Sequence, residues 1–437
     1  MKKSSIALLI IIYTLICASL AQAEELSLSL DEALAIALRD NRDIQLKNED
    51  INKAKAKIAE AKSALLPTAT FNGTWTDTIG LYPKSSNPAS IIPQPTHKGG
   101  FSSTATQLSV KQVLYKGGQI LNNIQYNKFG LEISQALLDK TKLETALNVK
   151  KAFYTLLLTM QLADLNKSIL DNAAEHLSVI EARYQSGQAS ESDILNIKSS
   201  LSSVWQAYEE SLNQVEAAGA LLRNLLYLDK NVTILAQGQF EYMEQELAYD
   251  EAFLKALKSR PEIKQYEAQS KAAGSAVEIA KANGRPSIYA SWDYYSKSHL
   301  AGTTTKNWND YNVLGLTFSW PIFDGFATKH KVEQALIDLK EAQLAKEKSV
   351  NDIILELRSA YLSLKDAISR INAVEADLVL YKNNLATAEE KYKEGIASMQ
   401  DKNDADLKYA ISQFNKNQAV YDYIIAKSSF DKATGGI

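Results

Sequence analysis

The sequence predicts a mixed α and β protein built as a duplicated half-molecule, with very long helices and four strands of membrane-crossing length. Three observations predict it. Blocks of residues recur in the same order in the two halves of the 437-residue chain. No proline lies between Pro95 and Pro261 and none after Pro321, which leaves room for long unbroken helices. Four segments of about ten residues alternate apolar and polar side chains, the pattern of a strand with one face of each kind.

The repeat comes in two blocks. Leu30-Asp31-Glu32-Ala33 recurs as Tyr249-Asp250-Glu251-Ala252; at the same offset of 219 residues Ala37-Leu38 meets Ala256-Leu257 and Pro67 meets Pro286. Further on, Leu108 to Gly117 aligns with Leu316 to Gly325, and Tyr184-Gln185-Ser186-Gly187 with Tyr392-Lys393-Glu394-Gly395, at an offset of 208. Such a period is far longer than that of a solenoid. With a leader set aside, the domains are 1–23, a signal peptide; 24–245, the first repeat; and 246–437, the second.

The leader is Met1-Lys2-Lys3, an apolar run from Ile6 to Ile16, and Ala21-Gln22-Ala23: a charged start, a hydrophobic stretch and an A-x-A cleavage site after Ala23. The run is shorter than the roughly 20 residues of a spanning helix, which disfavours a membrane anchor. Ile16 stands before Cys17, where a lipoprotein signal has a small residue. Cleavage removes the single cysteine, so the exported chain carries no disulfide.

Each half then gives helix, strand, loop, strand, long helix, turn and helix. Asp31 to Leu65 is helical, with Asp31 a candidate N-cap and Pro67 past its end. Thr68 to Thr76 alternates, with Ala69, Phe71, Gly73 and Trp75 on one face. Ile79 to Ser102 holds Pro83, Pro88, Pro93 and Pro95 and is expected to be a loop. The strand from Thr104 to Leu114 returns with Leu108, Val110 and Leu114 in phase. In the second half Ile288, Ala290, Trp292 and Tyr294 share a face, as do Leu314, Leu316, Phe318, Trp320 and Ile322, and Pro321 marks the strand's end. Long helices follow at Gln119 to Tyr184 and Phe326 to Tyr392, each on the order of 100 Å at 1.5 Å per residue. In the second, Ile354, Leu357, Tyr361, Leu364, Ile368 and Ile371 step by four and three, a coiled-coil seam. Shorter helices run from Ser190 to Leu228 and from Ser398 to Lys432.

Four strands of this length suit a tilted membrane barrel, but four cannot close one, and open edges in lipid are forbidden. The chain must therefore oligomerise, or else pack its hairpins on a helical bundle in water. Trp75, Tyr82, Trp292, Tyr294, Tyr295 and Trp308 sit near strand ends; they suit an interfacial girdle or, as the alternative, an aromatic core.

Other classes are disfavoured. A net charge of -3 gives no basic surface for nucleic acid. One cysteine and four histidines, His97, His176, His299 and His330, make no zinc pattern, and His97 and His299 fall in expected loops. No P-loop, HExxH, CxxC, GxSxG or dinucleotide fingerprint occurs. The chain reads as no enzyme and needs no cofactor. A periplasmic coiled-coil adaptor lacks the four strands and the duplication.

Taken together, the leader, the DEAxxxAL helix starts at Asp31 and Asp250, the strand-to-helix motifs Gln112-Val113-Leu114-Tyr115-Lys116-Gly117-Gly118 and Trp320-Pro321-Ile322-Phe323-Asp324-Gly325, and the turns Tyr184-x-x-Gly187 and Tyr392-x-x-Gly395 follow one order. In this the chain resembles the TolC family of outer-membrane efflux proteins over nearly all of its length. The resemblance implies a homotrimer in the outer membrane. A 12-stranded β-barrel, four strands per chain, would continue into a long periplasmic α-helical barrel. Its function would be the exit duct of a tripartite efflux pump, passively conducting small molecules from an inner-membrane transporter through a periplasmic adaptor. The alternative is the outer-membrane channel of a type I protein or peptide secretion system.

The resemblance also implies site residues. Asp401 and Asp404 match an entrance ring of carboxylates; Tyr392 and Asp193 match gate positions; Gly187 and Gly395 match the tips that contact the adaptor. Two carboxylates near a helix start equally well complement its dipole. Ala397 stands where the family often has a latching Arg, and Lys402 adjoins Asp401.

Overall fold

A computed structural model describes residues 25–82, 97–243, 248–301 and 307–436. The leader with its cleavage site, Cys17 and the four prolines of the first strand loop lie outside these residues. In chain order the described elements are β1 (Glu25–Leu28), α1 (Leu30–Asp40), α2 (Arg42–Ser63), β2 (Thr68–Tyr82), β3 (His97–Lys116), α3 (Gln119–Gln185) and α4 (Glu191–Leu226). The second half gives β4 (Thr233–Ala236), α5 (Tyr249–Ser259), α6 (Pro261–Ala282), β5 (Ser287–Ala301), β6 (Asn307–Ser319), α7 (Ala327–Lys393) and α8 (Met399–Ala433). Two compact units result: residues 50–134 with 265–347, which hold the large sheet, and the remainder.

The sheet has the order β2-β3-β5-β6, antiparallel throughout, so its central pair joins the two repeats and β2 and β6 form its edges. The strands outrun the sequence expectation. Pairing of β2 and β3 continues from Thr68↔Lys111 to Tyr82↔His97, which makes strand of both ends of the loop expected at Ile79 to Ser102. His97 and His299 accordingly stand in strands, not loops. Register along the ladder repeats the same alternation on every strand. Ala69, Val110, Trp292 and Leu314 form one cross-strand row, and Trp75, Thr104, Ser298 and Trp308 another, both on the apolar face. Tyr295 departs from the girdle expectation: it lies on the polar face, stacked on Tyr311 at 5.1 Å between ring centroids. Leu114 departs too, because the register shifts between Val113 and Tyr115 and gives Ile288 to Tyr115. A bulge breaks the period of two that placed Leu114 in phase.

Phe71, Leu314 and Leu316 on the apolar face are each more than 70 % exposed, so none of the described residues covers this face. Among the described residues no helix is long and apolar enough to cross a membrane. Past each second strand the backbone turns through two successive left-handed residues, Gly117 and Gly118 in one repeat and Gly325 and Phe326 in the other. At Gly117 a side chain is barred on two counts: φ is 61°, and a Cβ would come within 2.7 Å of the Ala282 carbonyl oxygen. Phe326 holds φ at 68° where the first repeat has glycine, with its ring edge-on to Phe323.

In the other unit the repeat reappears as packing. The first hydrophobic cluster joins Ala33 and Ala37 of α1 to Val149, Ala152 and Phe153 of α3. Its counterpart joins Ala252 and Ala256 of α5 to Leu357 and Ala360 of α7. The DEAxxxAL pattern is thereby explained: its two alanines are the face that lies against the long helix, where a larger side chain would force the helices apart. Phe153, Leu156, Leu222 and Leu226 are fully buried in the first cluster, each contributing about 1.5–3 kcal/mol. The parallel strands β1 and β4 add Leu28, Ile234 and Ala236 to it.

Local chemistry corrects two readings of the first helix. Its N-cap is Ser29, not Asp31. Ser29 Oγ accepts from the Glu32 N–H, and Glu32 Oε2 accepts from the Ser29 N–H at 2.9 Å and hydroxyl at 2.8 Å, a full capping box. Asp31 sits in the first turn, where its charge complements the helix dipole. The helix is also split, at Asn41, whose extended backbone ends α1 and whose Oδ1 accepts from Asp43 and Ile44 to start α2. The second repeat splits at Arg260, with Pro261 opening α6, as proline favours.

Here the repeats part company. Asn41 becomes Arg260, and the positions of Asn148 and Asn224 become Glu356 and Lys432. The Arg260 side chain is 3 % exposed. Its guanidinium donates to both Glu262 oxygens at 3.0 and 3.1 Å, to Glu356 Oε2 at 2.6 Å and to the Lys432 carbonyl at 3.1 Å. Lys432 Nζ donates to the other Glu356 oxygen at 3.1 Å. Burial raises the Glu356 pKa, but the bonds and charges of Arg260 and Lys432 outweigh it and hold the carboxyl below its ordinary 4.5. A depressed carboxylate stabilises the fold above its unfolded pKa, and that contribution is lost as pH falls through the folded value. Glu356→Gln should therefore destabilise the protein at pH 7 by on the order of 1–2 kcal/mol, since Glu262 still holds Arg260 and Glu356 is partly in water. Thermal melts of the two proteins should converge as pH falls through the lowered pKa of folded Glu356, where the wild-type carboxyl becomes protonated as well.

Candidate functional site

The two helical turns carry every site residue taken from the sequence. In the first, α3 ends and α4 begins around Gly187, with Asp193 in the first turn of α4. In the second, α7 ends and α8 begins around Gly395; Tyr392 lies before the glycine, Asp401 and Asp404 after it. The structure thus gathers Tyr392, Gly395, Asp401 and Asp404 at one turn, and Gly187 and Asp193 at the other.

Both turns are built the same way. Gly187 N–H donates to the Tyr184 carbonyl at 2.9 Å, and Gln188 N–H reaches back to Arg183 at 2.8 Å. Gly395 N–H donates to Tyr392 at 3.0 Å, and Ile396 N–H to Lys391 at 2.8 Å. This nested pair of bonds is the Schellman motif, which satisfies the last helical carbonyls and requires a left-handed residue. The glycines supply it, with φ of 75° and 73°. No atom lies within 4 Å of where a Cβ would stand on either, so conformation and not crowding makes them glycine.

A serine then opens each second helix. Ser190 Oγ accepts from the Asp193 N–H, and Asp193 Oδ2 accepts from the Ser190 N–H at 2.9 Å and hydroxyl at 2.8 Å. Ser398 and Asp401 repeat this at 2.9 and 2.7 Å. The hydroxyl and backbone bonds from Ser398 hold the Asp401 carboxyl below its ordinary range, as those from Ser190 do for Asp193. Both carboxylates stay ionised and fixed in direction. Asp404 is placed differently, one turn on and exposed, accepting from Gln400 Nε2 at 2.9 Å. Sequence reasoning started these helices at Ser190 and Ser398 but missed their bonds to Asp193 and Asp401. Their signal was the spacing Ser-x-x-Asp after each turn glycine, a variant of the capping box.

The turns differ in how their helices are tied. Lys198 of α4 and Glu181 of α3 form an ion pair at 3.1 Å. At the offset of 208 their counterparts are Asp406 and Glu389, two carboxylates that cannot pair with each other. Each turn therefore offers one carboxylate of fixed direction, Asp193 or Asp401, on a tightly turned backbone, and the second turn also carries Lys391, Lys393 and Lys402. Among the described residues no group of His, Cys, Asp and Glu converges to hold a metal ion.

Comparison with known proteins decides the family. The model of the outer membrane efflux protein family matches residues 33–226 and 253–436. The chain belongs to the outer membrane efflux protein family. Within it, the chain is 27 % identical over 145 residues to outer membrane protein TolC of Escherichia coli (strain K12); that match takes in 32 % of this chain and 29 % of TolC. The fold extends much further. The Campylobacter jejuni CmeC outer membrane channel superposes with a TM-score of 0.74 at 20 % identity, over 93 % of this chain and 85 % of CmeC. The open state of the Neisseria gonorrhoeae MtrE outer membrane channel gives a TM-score of 0.71 at 17 % identity, over 93 % and 89 %. The strands and helices of the two repeats are those of this efflux family.

The turn geometry makes a prediction for the efflux-family glycines. Gly395→Ala should weaken the α7–α8 turn by about 1 kcal/mol, the cost of a Cβ in the left-handed region, without steric clash. Hydrogen exchange of the Gly395 and Ile396 amides should speed up about fivefold while the α5–α7 core is unchanged.

Proposed function

We propose that three copies of the chain close their sheets into one 12-stranded barrel in the outer membrane, and that the trimer is the passive exit duct of a tripartite efflux pump. The sheet supports this most directly. It has one exposed apolar face, one polar face and two edges, β2 and β6, whose outer backbone groups pair with nothing in the chain's own ladder. Such edges are untenable in lipid, and four strands are too few to close. Joining β6 of one copy to β2 of the next, head to tail, satisfies all three at once and closes as a ring.

In this reading the chain is exported and cleaved after Ala23, and the long helices form the α-helical barrel in the periplasm. The two turns form its inner end. Gly187 and Gly395 present backbone to the periplasmic adaptor, Tyr392 and Asp193 stand at the gate, and Asp401 and Asp404 form the entrance ring. An inner-membrane transporter delivers small molecules, and the duct carries them without chemistry.

The deciding experiment is crosslinking in the native cell envelope followed by identification of the captured proteins. An adaptor together with a small-molecule transporter supports the reading; a dedicated protein or peptide exporter in its place overturns the efflux assignment in favour of secretion. The purified protein should have the mass of three chains in detergent. A folded species with the mass of one chain excludes the shared barrel.

For the ring, Asp401→Ala with Asp404→Ala removes six carboxylates from the trimer and should lower cation selectivity and relieve block by multivalent cations in planar bilayers. Lys402, turned about 100° from Asp401 on the helix, should matter little when changed to Ala. Unchanged selectivity in the double variant leaves these residues as helix-start groups only.

A further inference from the structure

The polar face of the sheet has a composition that the duct reading does not itself require. Its described side chains include three lysines, Lys111, Lys116 and Lys297, against one carboxylate, Asp293. Asp293 is engaged within the sheet, accepting from Gln107 Nε2 at 2.9 Å. The same amide also donates to the Tyr295 hydroxyl at 3.0 Å. Tyr295 lies flat on Tyr311 of the next strand, 19° from parallel. Lys297 Nζ stands 5.0 Å from the Tyr295 ring centre and 5.6 Å from that of Tyr311. An ammonium is thus held beside a stacked aromatic pair, with neither ring nor cation buried.

The alternation of the strands puts all of these groups on one face, opposite Trp292 and Leu314. If the trimer closes as proposed above, on which this inference rests, that face lines the lumen. Among the described side chains of this face, each chain brings an excess of two positive charges and carries a lysine–tyrosine cluster. A cation at the edge of a stacked aromatic pair suits a ligand that is flat, apolar and negatively charged. The anion meets the ammonium, and the ring lies along the exposed tyrosine.

We propose that Lys297, Tyr295 and Tyr311 form a transient binding site for aromatic organic anions in the strand section of the duct. Lys111, with its ammonium 4.4 Å from the Tyr289 ring centre, contributes to the same positive field. The site favours the passage of acidic aromatic solutes at low concentration and slows them when they saturate it. Its charge component weakens as salt rises.

The test uses the full-length trimer in planar bilayers, with 1,5-naphthalenedisulfonate as the probe and sulfate, of equal charge, as the control. Wild type should show concentration-dependent block by the naphthalene compound and much less by sulfate. Lys297→Gln should weaken that block about fivefold and shift the reversal potential in a salt gradient toward cations. Tyr311→Leu should weaken the block to a similar extent while leaving the reversal potential in place, because it removes a ring and no charge. Trimer mass confirms that each variant is assembled. Equal block by sulfate, or block unchanged in both variants, overturns the site while leaving the duct standing. A wild-type trimer that inserts and carries no current overturns the duct, and the site with it.

Discussion

A backbone amide or carbonyl at the edge of a sheet must find a partner, and the two open edges of the β2-β3-β5-β6 sheet are the constraint to which the rest of the structure answers. In water an edge can be wetted; in hydrocarbon it cannot. The apolar side chains on one face exclude water from that side, so the edges and the face must be covered by the same event. In the trimer proposed above, ring closure between copies meets both demands, and the opposite face is polar because it lines the lumen.

Duplication supplied the parts, and the two copies then diverged where charge is concerned. Apolar packing is conserved between the repeats almost position by position, as Ala33 and Ala252 or Val149 and Leu357 show. Some polar positions are not, although the Ser190–Asp193 capping box recurs as Ser398–Asp401. Asn41, Asn148 and Asn224 answer to a buried charge network in Arg260, Glu356 and Lys432, and the Lys198–Glu181 tie of the first hairpin answers to the like pair Asp406 and Glu389. The second repeat thus gains charged ties where α5 meets α7 and α8 and along α7 and α8, at Arg370–Asp422 and Lys416–Glu375, while it lacks the pair that the first has beside its turn.

Much of this was legible in the sequence because it rests on periodicity and punctuation. The long helices were placed to within a residue or two, since nothing between Gln119 and Gln185 but Gly130 interrupts the pattern. Pro321 marked the end of β6 as expected. What escaped depends on partners. β1 and β4 are four residues each and exist only because they pair with one another across the chain. The ends of β2 and β3 are drawn into strand by mutual pairing at the two ends of a stretch whose prolines argued for a loop. The break at Asn41 turns on one side-chain amide that favours restarting the helix. At the site, residue types and order were readable, but that Asp193 and Asp401 each close a capping box needed the geometry of the serine three positions earlier.

The central place of β3 and β5 in the sheet bears on how the protein is made. Thr106 and Ser296, which bond across that pair, are 190 residues apart in sequence. The first hairpin emerges during synthesis with its inner edge waiting for a strand that the second repeat has yet to provide. Helices can form locally within a microsecond or so, but such distant pairing must await chain closure and is slow. For that interval β3 is a long adhesive edge beside an apolar face, the kind of surface that aggregates. The delay in synthesis between the two repeats therefore sets how long this half-sheet stays open to such contacts.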